Sequence, residues 1–230
     1  TVAQGIRMAR AAQAAGIITH VGYHMRYGAA VQRLKTLIAR GHAGRPTLFD
    51  ARYECNALHG PWWRDKRRCG GQVLEQAIHL YDLGLCLCGA AARVNGWVAN
   101  LCHGGVPGYT VEDTSAAVIR FANGALGSIA ASNCAVPMQW NNPFTVVCEK
   151  LTARFVTANE AEFVHTGGRA PRIERVASDV NMYEAETSAF IARLRRGGGE
   201  GPGIEDGLAG LRLVCGVLAS ARKGGAPVKV

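Results

Sequence analysis

DTSAAVIRFANGALGSIAAS, residues 113–132, reads as a β-hairpin. Two runs of small, β-branched and aromatic residues flank Asn123-Gly124, a dipeptide that accepts the positive φ a tight antiparallel turn requires. Both alternating faces of SAAVIRF and ALGSIAAS carry small or apolar side chains. One face can pack on helices, which leaves the other as an apolar surface in need of cover. An antiparallel sheet is therefore predicted, together with a homo-oligomer formed through its open face.

Outward from the hairpin, residues 92–177 have mostly strand texture, with further short strands at 143–149, 151–157 and 161–165. PTLFDARYEC (46–55) is another strand, and 56–69 is an irregular loop. Two helices close the chain, at about 184–196 and 204–223. The second has Leu208, Leu211, Cys215 and Leu218 inside, Glu205-Asp206 at its positive start and Lys223 at its negative end. GGGEGPG (197–203) links them. The chain opens with a helix at 2–15, capped by Thr1 and stopped by Gly16. A buried strand, IITHVG (17–22), follows, and then a helix at 29–40 whose inner stripe is Val31, Leu34, Leu37 and Ile38. Helix, strand, helix is the pattern of the last unit of a parallel α/β sheet. The predicted class is α+β: a large, mostly antiparallel open sheet with helices on one face, preceded by that helix–strand unit.

Composition narrows the class further. Hydrophobic residues make up 48% of the chain, and no apolar run approaches the roughly 20 residues of a membrane span. The net charge of +9 raises the question of nucleic acid. The basic residues are spread along the whole chain, however, and no basic stripe is interleaved with aromatics, so a nucleic-acid partner is not expected. Eight cysteines without a CxxC pair read as small buried hydrophobes of a reduced, cytoplasmic protein.

The segment with chemistry in it is GGQVLEQAIHLYDL (70–83). Arg outnumbers Lys 21 to 5 in this chain, yet the polar side of this helix carries only Gln, Glu, His and Asp. Glu75, His79 and Asp82 are four and three apart, which stacks them on one side of a continuous helix. Gln72 and Gln76 flank them. Two readings stay open on spacing alone. One is a solvated helix face; the other is a carboxylate–imidazole pair for proton transfer. Metal binding is not expected here, because no second His or Cys stands at ligand spacing.

Several segments also resemble, in order, the C-terminal two-thirds of the glucose–fructose oxidoreductase/inositol dehydrogenase (Gfo/Idh/MocA) family. They are VGYHMRY (21–27), GHAGRP (41–46), WWRDKRRCGGQVLEQAIHLYDL (62–83), EDTSAAVIRFANGALGSIAAS (112–132) and the closing IEDGLAGLRLVCGVLASARKGGAPVKV (204–230). The resemblance implies reversible hydride transfer between NAD or NADP and a hydroxyl carbon of a sugar, polyol or similar small molecule. It implies that His79 is the general acid/base and Glu75 the carboxylate that orients it. Trp63, Arg64, His24 and Tyr183 are implied to contact the cofactor, and Tyr23, Lys66 and Gln76 the substrate. It further implies that 1–27 is the remnant of a dinucleotide-binding Rossmann domain and 28–230 the substrate and oligomerisation domain. A strand-linked GxGxxG is absent, and the family's Glu-Lys-Pro segment would fall before Thr1. The main cofactor site is therefore expected to lie outside this chain, and the chain alone to bind NAD and NADP poorly and to be inactive. The rival expectation is a non-catalytic oligomerisation module descended from such an enzyme.

Overall fold

A computed structural model describes all 230 residues. Helix α1 (Val2–Ala14) begins with a reciprocal Thr1–Gln4 capping box, as Thr1 predicts. A 3₁₀ turn (His24–Tyr27) leads into α2 (Ala29–Ala39). Strand β1 (Pro46–Cys55) is followed by four helical pieces: α3 (Pro61–Arg64), α4 (Lys66–Cys69), α5 (Gln72–Glu75) and α6 (Ile78–Cys88). Next come β2 (Ala91–Ala99), β3 (Thr114–Phe121), β4 (Leu126–Ser132), β5 (Trp140–Asn141), β6 (Phe144–Cys148), β7 (Leu151–Thr157), β8 (Glu160–His165) and β9 (Arg172–Val176). Helices α7 (Met182–Arg195) and α8 (Ile204–Arg222) and the short β10 (Val228–Lys229) end the chain. No helix is long and apolar enough to cross a membrane.

The strands form one ten-stranded sheet in the order β10-β2-β3-β4-β1-β6-β7-β8-β9, with β5 beside β1. Every pairing is antiparallel except β1 with β4. The hairpin forms as its sequence predicts: Gly124 has φ +90°, and β3 and β4 pair from Thr114↔Ser132 to Arg120↔Leu126. Asn123 adds a role of its own, since its amide donates to the Cys88 carbonyl at the end of α6 and ties the hairpin tip to that helix.

Burial along the strands alternates. In β3, Ser115, Ala117, Ile119 and Phe121 are buried while Val118 and Arg120 face out; in β1, Phe49, Ala51, Tyr53 and Cys55 are buried. The inner face packs on α2, α6 and α8, around fully buried Leu34, Leu80, Leu83, Leu213 and Val217. The outer face keeps Val118, Leu126 and Leu48 half exposed, the last two paired in register across β4 and β1.

Three expectations are corrected. Residues 17–22 are extended but form no strand, because no strand of this chain lies beside them; Val21 N–H bonds the Pro202 carbonyl instead. Leu208 is buried as expected, but Leu211, Cys215 and Leu218 are only partly buried; the deepest side chains of α8 are Leu213, Val214 and Val217. Leu208 and Leu211 of the expected stripe turn toward Gly5 of α1, where an added Cβ would strike them at 3.0 and 2.8 Å. Of the eight cysteines only Cys55, Cys88 and Cys148 are buried; Cys102 is exposed and the other four are intermediate.

Candidate active site

The segment 70–83 is not one helix. Gly70 and Gly71 stand at φ +90° and +106°, where a side chain is strained. A Cβ on Gly71 would meet a Glu112 carboxylate oxygen at 2.5 Å, so the glycine also lets that carboxylate approach and accept the Val73 N–H. The chain then makes the single turn α5, and Ala77 N–H bonds the Gln72 carbonyl five residues back at 3.0 Å. Such a wide turn inserts one residue into the helical register. The consequence is chemical: Glu75 and His79 no longer share one stripe. The Glu75 carboxylate accepts the indole N–H of Trp63 at 2.6 Å, while the buried Nδ1 of His79 has no hydrogen-bond partner. Glu75 therefore does not orient His79, and that expectation is corrected.

The two side chains still line one cleft of about 330 Å³, with Tyr53, His59, Gly60, Trp62, Trp63 and Gln76. Behind His79 sit His24, edge-on at 4.8 Å between ring centroids, and the buried Tyr23 at 6.2 Å. His24 in turn stacks on Tyr183 at 4.5 Å. Burial, and then the nearby His24, push the His79 imidazole down to about 4. His24 is lowered as well, by burial working against the attraction of Glu186. Both shifts favour the neutral form of the imidazole.

Other residues singled out by the sequence take different posts. Trp63 is buried, its N–H committed to Glu75. The Arg64 guanidinium donates to the carbonyls of Leu58 (2.9 Å) and His59 (3.1 Å), so it clamps the loop before it. Lys66 pairs with the buried Glu112 at 2.7 Å and borders a separate concavity with Asp65, Arg67, Arg68 and Thr110; it does not line the cleft of His79. Its substrate role is corrected accordingly. Gln76 does line the cleft, 2.9 Å from Nε2 of His59. Asp82 lies outside it. There, nearly fully buried, the carboxylate takes two hydrogen bonds from Arg26 (2.8 and 2.5 Å). Arg26 also reaches Asp206 at 2.9 Å, which ties the 3₁₀ turn to α6 and α8.

Four cleft residues, Tyr53, His59, Gly60 and Trp62, were not singled out by the sequence. His59 has φ +50°, rare for a residue with a Cβ, and packs 4.4 Å from Trp63. Burial lowers its pKa, partly offset by the charge of Glu75. Nothing in its spacing marks it, because a loop has no period. Trp62, also at the mouth, remains half exposed.

These features define an α+β domain built on one large, mostly antiparallel open sheet, with a cleft around His79. The profile of the GFO/IDH/MocA C-terminal domain matches residues 31–154, more than half of the sequence, and the chain belongs to that family. Solved structures share the fold. Levoglucosan dehydrogenase in its apo form is 23% identical, with 100% of this chain and 71% of that one covered and a TM-score of 0.88. Its complex with NADH and L-sorbose gives 22%, 100%, 70% and 0.90. An oxidoreductase domain protein from Kribbella flavida gives 21%, 100%, 71% and 0.90. The comparison with curated proteins returned no match.

Proposed function

We propose that this chain is the substrate-side part of an NAD- or NADP-dependent oxidoreductase that moves hydride between the nicotinamide and a hydroxyl carbon of a sugar, polyol or similar neutral molecule. The observation that carries the reading is the neutral His79 imidazole in a cleft bordered by an amide, a second imidazole, one carboxylate and two indoles, with no Lys or Arg. Polar groups of that kind suit hydroxyls, and the half-exposed Trp62 suits a sugar face. His79 takes the hydroxyl proton as hydride leaves the carbon. Glu75 holds Trp63 and supplies the cleft's negative charge. His24 and Tyr183, stacked beside His79, form the contact for the nicotinamide end. Support for the cofactor comes from the relatives solved with NADH, and for the substrate class from the one solved with NADH and levoglucosan. Oxidation of a panel of neutral sugars and polyols with NAD and NADP, with a dinucleotide-binding domain in place, tests the reading. Turnover of none of them, with assembly intact, favours the binding-module alternative.

We assign residues 1–27 to the end of the nucleotide-binding unit and 28–230 to the substrate domain. Within the 230 residues no glycine-rich turn joins a strand to a helix, so the usual cradle for a pyrophosphate is not among them. Calorimetry on this chain is expected to find no micromolar binding of NAD or NADP. A micromolar Kd would overturn the division.

The outer sheet face supports the homo-oligomer. Replacing the in-register pair Leu48 and Leu126 by Asp removes the exposed leucines from an outer face that also carries Arg120, Asp50 and Arg52, and touches no buried side chain. Sedimentation at micromolar concentration is expected to show a dimer or larger for the parent chain and a folded monomer for the double variant. A parent chain that sediments as a stable monomer contradicts the assembly.

A further inference from the structure

We propose that Cys102, Cys134 and Asp113 form a binding site for a zinc-class divalent cation, away from the cleft of His79. The two sulfur atoms and a carboxylate oxygen all lie within 4.8 Å of one another. The grouping is built, not incidental, because Asp113 positions both cysteines. Its side chain accepts the amides of Leu101 (2.9 Å), Cys102 (2.8 Å) and His103 (2.9 Å) and the hydroxyl of Thr114 (3.0 Å), which fixes the loop carrying Cys102. Its backbone carbonyl accepts the amide of Asn133 at 2.7 Å, which fixes the segment carrying Cys134. Two loops that follow different strands are thereby held with their thiols facing one carboxylate.

The chemistry selects the ion. Two thiols with one oxygen are borderline-soft ligands, which suit zinc and exclude magnesium and calcium, whose sites are built from oxygens. Zinc sits about 2.3 Å from sulfur and 2.0 Å from oxygen, so its ligand atoms stand roughly 3.5–4 Å apart. From a largest separation of 4.8 Å the cluster contracts by at most about 1.3 Å to reach that spacing. Each carboxylate oxygen of Asp113 already accepts two hydrogen bonds, so an ion must displace one of the four to be ligated there. Nδ1 of His103, buried without a hydrogen-bond partner, lies 3.4 Å from Asp113 but is not one of the three clustered ligand atoms, so a solvent molecule completes the coordination. Cys102 is exposed, which gives the ion its entry. The role is structural. His103 stacks on Tyr109 at 4.9 Å, and Tyr109 meets Trp63 at 6.1 Å, so an ion here stiffens the wall behind the Trp63–Glu75 hydrogen bond.

Titration of the reduced 230-residue protein with Co²⁺, the coloured stand-in for zinc, tests the site without any need for activity. One equivalent is expected to bind with a thiolate-to-cobalt charge-transfer band, and Zn²⁺ should displace it. Cys102→Ser and Cys134→Ser are each expected to abolish the band and to weaken Zn²⁺ binding by more than the roughly 10- to 100-fold that loss of an outer-shell partner costs. Zn²⁺ should also raise the melting midpoint of the parent chain but not that of Cys102→Ser, whose substituted residue is exposed. Cobalt binding without thiolate charge transfer, a band that survives in both serine variants, or no binding below millimolar cobalt overturns the proposal.

Discussion

Replacement of His79 by Ala is expected to lower turnover by roughly a hundredfold or more, the usual scale of general acid–base catalysis, with the fold retained. The side chain lines the cleft and its Nδ1 bonds nothing, so its removal breaks no hydrogen bond of the scaffold. Its pH signature follows from the environment. An imidazole lowered to about 4 by burial and His24 is already neutral above that pH. A base is active when deprotonated, so the acid limb of kcat/KM, which reports the free enzyme, should fall near pH 4 and not at the 6.5 of an ordinary histidine. Glu75→Gln should cost less, because the amide oxygen can still accept from Trp63 while the cleft loses its charge. Steady-state rates against pH decide the matter in the enzyme with its dinucleotide-binding unit in place. Near-normal turnover by His79→Ala would sink the assignment.

The largest expected change in stability comes from Arg26→Met. Asp82 is buried, and Arg26 makes both of its side-chain hydrogen bonds. Removing one partner of a buried pair leaves an uncompensated charge and costs about 3–5 kcal/mol, whereas replacing both partners with apolar residues is far milder. Burial pushes the Asp82 carboxyl up to about 6 against the pull of Arg26, so desolvation consumes part of the attraction even in the intact pair. The sign of the pH dependence follows. A carboxyl raised above its unfolded value keeps its stability at low pH and loses it as pH rises through the folded value. The cost of Arg26→Met should therefore be greatest at pH 7 and shrink toward pH 4, where the unpaired carboxyl takes a proton. Urea denaturation at both pH values, with Arg26→Met/Asp82→Leu as the comparison, measures it. An equal cost at both values would show that Asp82 stays ionised without its partner. Asp82→Asn should likewise act on stability and not on chemistry, since Asp82 lies outside the cleft.

Much of the architecture was legible before any coordinates. Alternation in 113–132 with Asn123-Gly124 between the runs determined a hairpin. The Thr1 cap and the 3.6-residue stripe of 29–40 determined helices, and the apolar outward residues of the hairpin marked an open face. These features are local: each depends on residues within a turn or two, and the chain's own geometry imposes the period. The position of His79 in a cleft could also be anticipated, from the absence of Arg and Lys on its helix face. What the tertiary structure alone decided is who touches whom. Glu75 is four residues from His79 yet bonds Trp63, twelve residues away, because the wide turn at Ala77 shifts the helical register. Arg64 spends its guanidinium on a loop, Lys66 on Glu112 forty-six residues on, and IITHVG finds no strand to pair with. His59 enters the cleft, and Cys102 and Cys134 meet across Asp113, through loops that have no period to read. Periodicity says which face of an element is buried, but the partner of a polar side chain is set by which distant segment the packed core brings within about 3 Å.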